Sequence, residues 1–357
     1  MLNFTVGPVM SDHSVLEIGS RSAPYFRTPE FSEIMFENEK LMLRFLSAPL
    51  GSKCVFLTTS GTGAMESVVM NILNDQDKVL VINGGSFGQR FADLCRLHQR
   101  EMTEIKLGFG CALHRSHLNA YANQGYTALL INMHETSSGV LYDMPMVAEF
   151  CKEQGILLIV DAISAFLADE LDMGALNAAA VITGSQKALA VQPGVSVVAM
   201  APQALERVDR NSEKCMYLSL KDALKNAERG QTPFTPAVTV LLQIHCRLQE
   251  IAAAGGAEAE RRRIHETAAQ FRAGIQGLPL EIVSENCSDA VTALHPLRNP
   301  ATGIVRTLKE AYGIWVCPNG GTAADQVFRV GHIGHITRDD NQALLDALWD
   351  MHRKALL

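Results

Sequence analysis

Charge is scarce in this sequence, and its balance is negative. Only 19% of the 357 residues are charged and the net charge is −7, so no basic surface is available for nucleic acid or an anionic membrane face. A small anionic substrate stays admissible, because a pocket sets its own local field. The eight cysteines, scattered from Cys54 to Cys317, include no C-x-x-C pair. In a chain of this length that pattern excludes a disulfide framework and reads as free thiols in a reducing compartment. Long apolar runs are missing too. The window 156–168 is broken by Asp161, and no run reaches the length of a membrane span. The start, Met1–Pro8, has no basic segment followed by an apolar one, so no secretory signal is visible. The expectation is a soluble cytoplasmic protein.

What is present is a large apolar reserve. Hydrophobic residues make up 47% of the chain, enough for one large domain or two intimately packed ones. The first forty residues read as irregular, with prolines at 8, 24 and 29, though apolar residues from Phe31 to Leu46 fall near helical spacing. Strands are predicted at 54–58, Lys78–Asn83, 103–107, Ala128–Met133 and 155–160, with helices over Ala64–Leu73, from about Gln89, and over Met144–Glu153. Val195–Met200 reads as an edge or return strand, because only Pro193-Gly194 stands before it. Strands alternating with helices predict a mostly parallel sheet between helices, with ligands bound beyond its carboxyl ends. Beyond Val238–Ala253 and Glu258–Ile275 the pattern becomes that of a smaller α+β domain. It has strands at 280–283, 290–295, Ile314–Val316 and Val327–Val330, and helices at 305–312 and from Asp339. The predicted division is 17–240 for the large domain, and 1–16 with 241–357 for the small one. Arg261-Arg262-Arg263 reads as a solvated helix face.

The chain is organised around Ala179–Lys187, a short buried strand that ends in a Gly-Ser turn and then delivers one lysine. The preceding strand delivers a carboxylate, Asp161, in the same way. A buried amine and a buried acid at strand ends suit a coenzyme with an aldehyde at one edge and a basic nitrogen at the other. That is the chemistry of pyridoxal phosphate, with a Schiff-base lysine and an acid for the pyridine nitrogen.

Other residues fall at strand ends, each with a plainer reading beside it. Ser60-Gly61-Thr62 stands where a strand enters a helix, a natural phosphate seat or an unliganded turn. Gly61-Thr62-Gly63 also begins a dinucleotide fingerprint, but Glu66 replaces its third glycine and Asn83 ends the next strand where an acid is needed. Phe87, in a glycine-flanked turn, is either a core aromatic or a platform for a planar ring. Ser137, in His134–Gly139, is either a loop cap or a donor to a phenolic oxygen. Arg329, in a short strand, calls for a substrate carboxylate or an internal acid. His332 and His335 lack a third metal ligand at sensible spacing, and Gly331 and Gly334 break any helix.

Taken together the chain resembles the class V aminotransferases of PLP fold type I. The nearest branch holds the alanine/serine–glyoxylate (or pyruvate) and 2-aminoethylphosphonate–pyruvate aminotransferases. The resemblance is carried by Gly7-Pro8, Phe26–Phe31, Ser60–Glu66, Gly84–Arg90, Glu135–Val140, Val160-Asp161, Gly184–Lys187 and Phe328–His332. Phe26 stands where the family pattern usually has histidine. The resemblance implies Lys187 as the PLP lysine, Asp161 on the pyridine nitrogen, Phe87 and Ile163 on the two ring faces, and Ser137 near the phenolic oxygen. It implies Ser60, Gly61, Thr62 and Gln186 on the phosphate, joined by Thr235 from a neighbouring subunit, hence a homodimer with shared active sites. It implies Arg329 on the substrate carboxylate, with Gly7 beside the substrate, and ping-pong transfer from an amino donor to a 2-oxo acid. A PLP lyase or cysteine desulfurase of the same fold is the alternative. Cys317 has the layout of a desulfurase cysteine, but Phe87 and Gln186 stand where that branch has histidines, so it reads as an ordinary thiol.

Overall fold

The computed structural model describes residues 1–357. In chain order the strands are β1 (Leu2–Phe4), β2 (Lys53–Leu57), β3 (Lys78–Asn83), β4 (Glu101–Lys106), β5 (Ala128–Asn132), β6 (His134–Glu135), β7 (Val140–Leu141), β8 (Leu157–Asp161), β9 (Ala178–Gly184), β10 (Ser196–Met200), β11 (Leu280–Ile282), β12 (Val291–Pro296), β13 (Ile314–Pro318) and β14 (Phe328–Gly331). Seven of them form one sheet in the order β2-β10-β9-β8-β5-β3-β4. Six run parallel, and β10 alone runs antiparallel, wedged between β2 and β9. It follows β9 through the turn at 185–195 and pairs back on it, a return strand as its sequence suggests, but it lies inside the sheet and not at its edge.

The central strands read as unbroken apolar runs because both of their faces are covered. Leu80, Ile82, Leu129, Ile131, Leu158 and Val160 pack into one core. Their neighbours Val79, Val81, Leu130 and Ile159 pack into the core on the opposite face. The period of two in each strand decides which residue goes where. A third core, built on Phe4, Phe271, Phe328, Val330 and Leu344, covers the second sheet, ordered β1-β13-β14-β12-β11.

Local signals set the strand that carries the acid. Asp143 caps the helix Met144–Gln154 by accepting from Met146 N, and Gly155 ends it at φ 66°. Only a glycine adopts that left-handed turn cheaply, and it releases the chain straight into β8.

Several boundaries differ from the sequence reading. The first thirty residues are not wholly irregular: β1 pairs with β13 and a helix covers His13–Gly19, while the helix expected over Phe31–Leu46 spans Pro29–Phe45. The helices expected from Ala64 and Gln89 begin earlier, at Gly61 and Ser86. Their glycine-rich openings look like loops in sequence but form first turns. Helices at Arg115–Asn119, Pro202–Arg210 and Leu220–Ala227 were not anticipated. No helix is long and apolar enough to cross a membrane.

Candidate active site

Asp161 is the last residue of β8, and Lys187 stands three residues beyond the adjacent parallel strand β9, at the same end of the sheet. Such strands lie about 4.8 Å apart. After β9, Ser185 Oγ donates to Gln192 O (2.7 Å) and Ala190 N to Lys187 O (2.8 Å), a tight turn that throws the lysine inward. Its Nζ donates to Val6 O at 2.6 Å. Burial lowers the amine from the usual 10.5 to about 8, and Cys317, Arg329, Asp161 and Arg90 are the ionisable groups around it. Gly7, at φ +126°, lies so close that a Cβ there would meet Lys187 Cδ at 2.8 Å. The N-terminal segment therefore forms one wall of the lysine's channel.

Burial raises Asp161 from 3.8 to about 6, opposed first by Ile163 N, which donates to its Oδ1 at 2.8 Å. Ile163 in turn packs on Gly61, where a Cβ would meet its Cδ1 at 2.3 Å. That contact brings the acid's loop against the start of the helix Gly61–Asn71. Ser60 is the N-cap of this helix, is exposed, and makes no side-chain cap bond. Its hydroxyl and the first N–H groups point out with no partner of their own, an anion seat by geometry and dipole. Arg90 adds positive charge, donating to Thr62 Oγ1 at 3.0 Å with its guanidinium 4.8 Å from the Phe87 ring. Phe87 thus belongs to the first turn of the helix Ser86–Leu97 and is only half buried. Gln186 is half buried beside the lysine, its side chain folded over Gly184.

Glu135 is the hub that sequence reasoning missed. Fully buried, its carboxylate accepts from Phe87 N (3.2 Å), Gly88 N (3.1 Å), Ser137 N (3.1 Å), Asn132 Nδ2 (3.0 Å) and the Ser137 hydroxyl. It pins Ser137 and the first turn carrying Phe87 to one point. The only sequence signal was an acid two residues before Ser137 in a hydroxyl-rich turn.

Arg329 is 9% exposed and has no carboxylate partner, which disposes of the internal ion pair. Its Nη1 donates to Thr136 O (3.0 Å), and its Nη2 to Pro318 O (2.7 Å) and Cys317 Sγ (3.1 Å). Its Nε is buried without a partner. Behind it, His134 Nδ1 and Thr136 Oγ1 both reach Ser164 Oγ, at 2.9 and 2.8 Å, tying the arginine's support to the loop after Asp161. Burial first, then Lys187 and Arg329, lower His134 to about 3.

These contacts gather Gly7, Gly61, Thr62, Phe87, Ser137, Asp161, Ile163, Gln186, Lys187 and Arg329, with Ser60 at the same helix start. Thr235 stands apart. It is exposed, beside Phe234, which stacks on Tyr217 at 5.5 Å, and none of these contacts ties it to the lysine. Phe26 is buried against Phe31, with Arg27 over its ring, so it serves packing. His332 is buried on Thr292 Oγ1 (2.8 Å) and His335 is exposed near Asp12 (3.1 Å). No cluster of three His, Cys, Asp or Glu residues could hold a metal.

The family described as Aminotransferase class-V matches residues 19–336, and the chain belongs to it. It is a PLP-dependent aminotransferase of fold type I. It is 30% identical over 325 residues to an L-aspartate–glyoxylate aminotransferase of Paracoccus denitrificans, covering 87% of this chain and 81% of that one. A protein of a Synechococcus strain described as a soluble hydrogenase small subunit is 29% identical over 349 residues, 96% of this chain and 90% of its own. Among solved structures, an aspartate aminotransferase of subgroup IV from Thermus thermophilus superposes with a TM-score of 0.92. It is 26% identical and covers 99% of each chain.

The family implies pyridoxal phosphate, and the residues present suit it. A buried amine, an acid beside it, an uncapped helix start and an unpartnered guanidinium nitrogen are the donors and acceptors that an aldehyde, a ring nitrogen, a phosphate and a carboxylate require.

Proposed function

We propose that this enzyme moves the amino group of a small amine or amino acid (2-aminoethylphosphonate, alanine or serine) to pyruvate or glyoxylate by ping-pong exchange. One observation carries the reading: Lys187 and Asp161 stand at the same end of neighbouring strands, with a buried arginine, Arg329, among the charges around the lysine and without any acidic partner. Lys187 and Asp161 would hold the two ends of the coenzyme ring, with Phe87 and Ile163 enclosing it and Ser137 at its phenolic oxygen. Ser60, Gly61, Thr62 and Gln186 would hold the phosphate, with Thr235 of a second copy completing the seat in a homodimer. Arg329 would anchor the substrate carboxylate, with Gly7 bordering it. The large domain comprises 17–240, with 1–16 and 241–357 forming the small one, and the enzyme works in the cytoplasm.

The bound coenzyme supplies an electron sink for the pair left behind when a proton leaves carbon. The chain's own residues do the rest. Lys187, held at about 8 by burial, keeps protonated and neutral forms both populated near neutral pH, which suits a proton carrier. Asp161, at about 6, is deprotonated above that pH and would favour the protonated form of the coenzyme's ring nitrogen. The carbonyl of Val6 orients the amine. Arg329 fixes the carboxylate end, so the reacting carbon meets the amine in one register.

Cys317, in contact with Arg329, favours a desulfurase as the second reading. A half-reaction assay separates the two. For the aminotransferase, an amine bleaches the coenzyme absorbance, and pyruvate or glyoxylate restores it. A desulfurase converts cysteine to alanine without any oxo acid, and its sulfur appears as sulfide when a thiol reductant is added. The panel should include 2-aminoethylphosphonate, alanine, serine and aspartate. Failure of every oxo acid to restore the spectrum would defeat the proposal.

A further inference from the structure

A carboxylate gripped by two guanidinium hydrogens must take one of them from Nη2. The side-on grip uses Nε with Nη2, and the end-on grip uses Nη1 with Nη2. In Arg329 both Nη2 hydrogens are committed, one to Pro318 O at 2.7 Å and the other to Cys317 Sγ at 3.1 Å. Nε is buried and free, while Nη1 keeps a single partner, Thr136 O. Sulfur is the weaker acceptor of the two Nη2 partners. Cys317 is also the more yielding: it is half-buried at the end of β13, whereas the Pro318 carbonyl is fixed backbone.

We propose that the Cys317 thiol occupies the place of the substrate's second carboxylate oxygen and is displaced when an oxo acid or amino acid binds. Cys317 is thereby a specificity-determining residue: it holds Arg329 in position without substrate and sets the cost of carboxylate entry. The inference rests on the reading of Arg329 as the carboxylate anchor. It extends that reading to a residue with no role in it. No bond is made or broken; one hydrogen bond passes from sulfur to carboxylate oxygen. The displaced thiol then lies under the bound acid and is shielded from reagents in solvent.

The test is alkylation of the purified, coenzyme-loaded enzyme by iodoacetamide, with each cysteine followed by mass spectrometry. Glyoxylate or pyruvate at ten times its dissociation constant should slow labelling of Cys317 about tenfold, by mass action. Half-buried Cys111 and Cys287 should be labelled at unchanged rates. Cys317→Ala, which removes the competitor, should lower the KM for the oxo acid about two- to fivefold. Cys317→Ser, which offers a stronger acceptor, should raise it. A purely structural role would not move the two variants in opposite directions. An unprotected Cys317 in an enzyme that still transaminates would overturn this inference and leave the function standing. Equal protection of all three cysteines would overturn it as well. An enzyme whose coenzyme absorbance neither pyruvate nor glyoxylate restores fails at the earlier step, and the half-reaction assay reports that separately.

Discussion

Replacing Glu135 by glutamine tests whether this buried carboxylate holds the site together. Five donors converge on it, at least two to each oxygen, and none of the side chain reaches solvent. An amide must place an NH2 group against one set. Turning the NH2 toward Phe87 N and Gly88 N would strand two backbone donors. Turning it toward Ser137 strands one, because the Ser137 hydroxyl can rotate and accept while Ser137 N cannot. The better orientation still leaves one buried N–H unpaired, at about 1–3 kcal/mol. It also weakens the remaining bonds, since charge-assisted ones are roughly twice as strong as neutral ones. The net loss should be about 3 kcal/mol. With a urea m-value of about 3 kcal/mol/M, the midpoint of unfolding should fall by about 1 M at unchanged slope. A fall below about 0.2 M would refute the hub role and the count of stranded donors behind it.

Three further outcomes follow from the same geometry. Asp161→Asn should stabilise the coenzyme-free protein. A carboxyl raised from 3.8 to about 6 by burial costs stability above its folded pKa, and the cost disappears as pH falls toward 3.8. Thermal melts should therefore show a gain of about 3 kcal/mol at pH 7.5 and little at pH 4; an equal gain at both would be contrary. Gly7→Ala, at φ +126° with its Cβ 2.8 Å from Lys187 Cδ, should strain the backbone and push the lysine aside. Turnover should drop at least about tenfold, since a displacement near 1 Å costs more than that; wild-type kcat would count against the channel wall. Arg329→Lys should raise the KM for oxo acids by about tenfold or more, because an ammonium cannot grip bidentately. An unchanged KM would remove Arg329 as the anchor.

The reacting pair was readable from sequence for a physical reason. An apolar run long enough for one strand, followed by a polar residue at once (Asp161) or after a tight Gly-Ser turn (Lys187), leaves that residue near the strand's end, so the pair announced itself. Arg329 was visible for a related reason, a guanidinium inside an apolar strand. The side chains that support them were not. His134 and Glu135 make up β6 while Ser164 lies in the loop after β8, and no periodicity encodes the meeting of their side chains with Phe87, Ser137 and Thr136. Cys317 looked ordinary because its pairing with Arg329 depends on β13 and β14 lying side by side. Gly61 and Ser86 were read too late as helix starts, since glycine and serine signal turns locally and only tertiary contacts make them first turns. The position of β10 inside the sheet was equally hidden: the Pro193-Gly194 turn signals a reversal but does not say that β2 covers its other side.

The central claim is that the buried amine of Lys187 is the group that holds the coenzyme. The most direct measurement is borohydride reduction of the purified, coloured enzyme, followed by peptide mass analysis. The account predicts one pyridoxyl-phosphate adduct per chain, on Lys187, and none in Lys187→Ala. An adduct on another lysine, or none on the wild type after loading with pyridoxal phosphate, would contradict it.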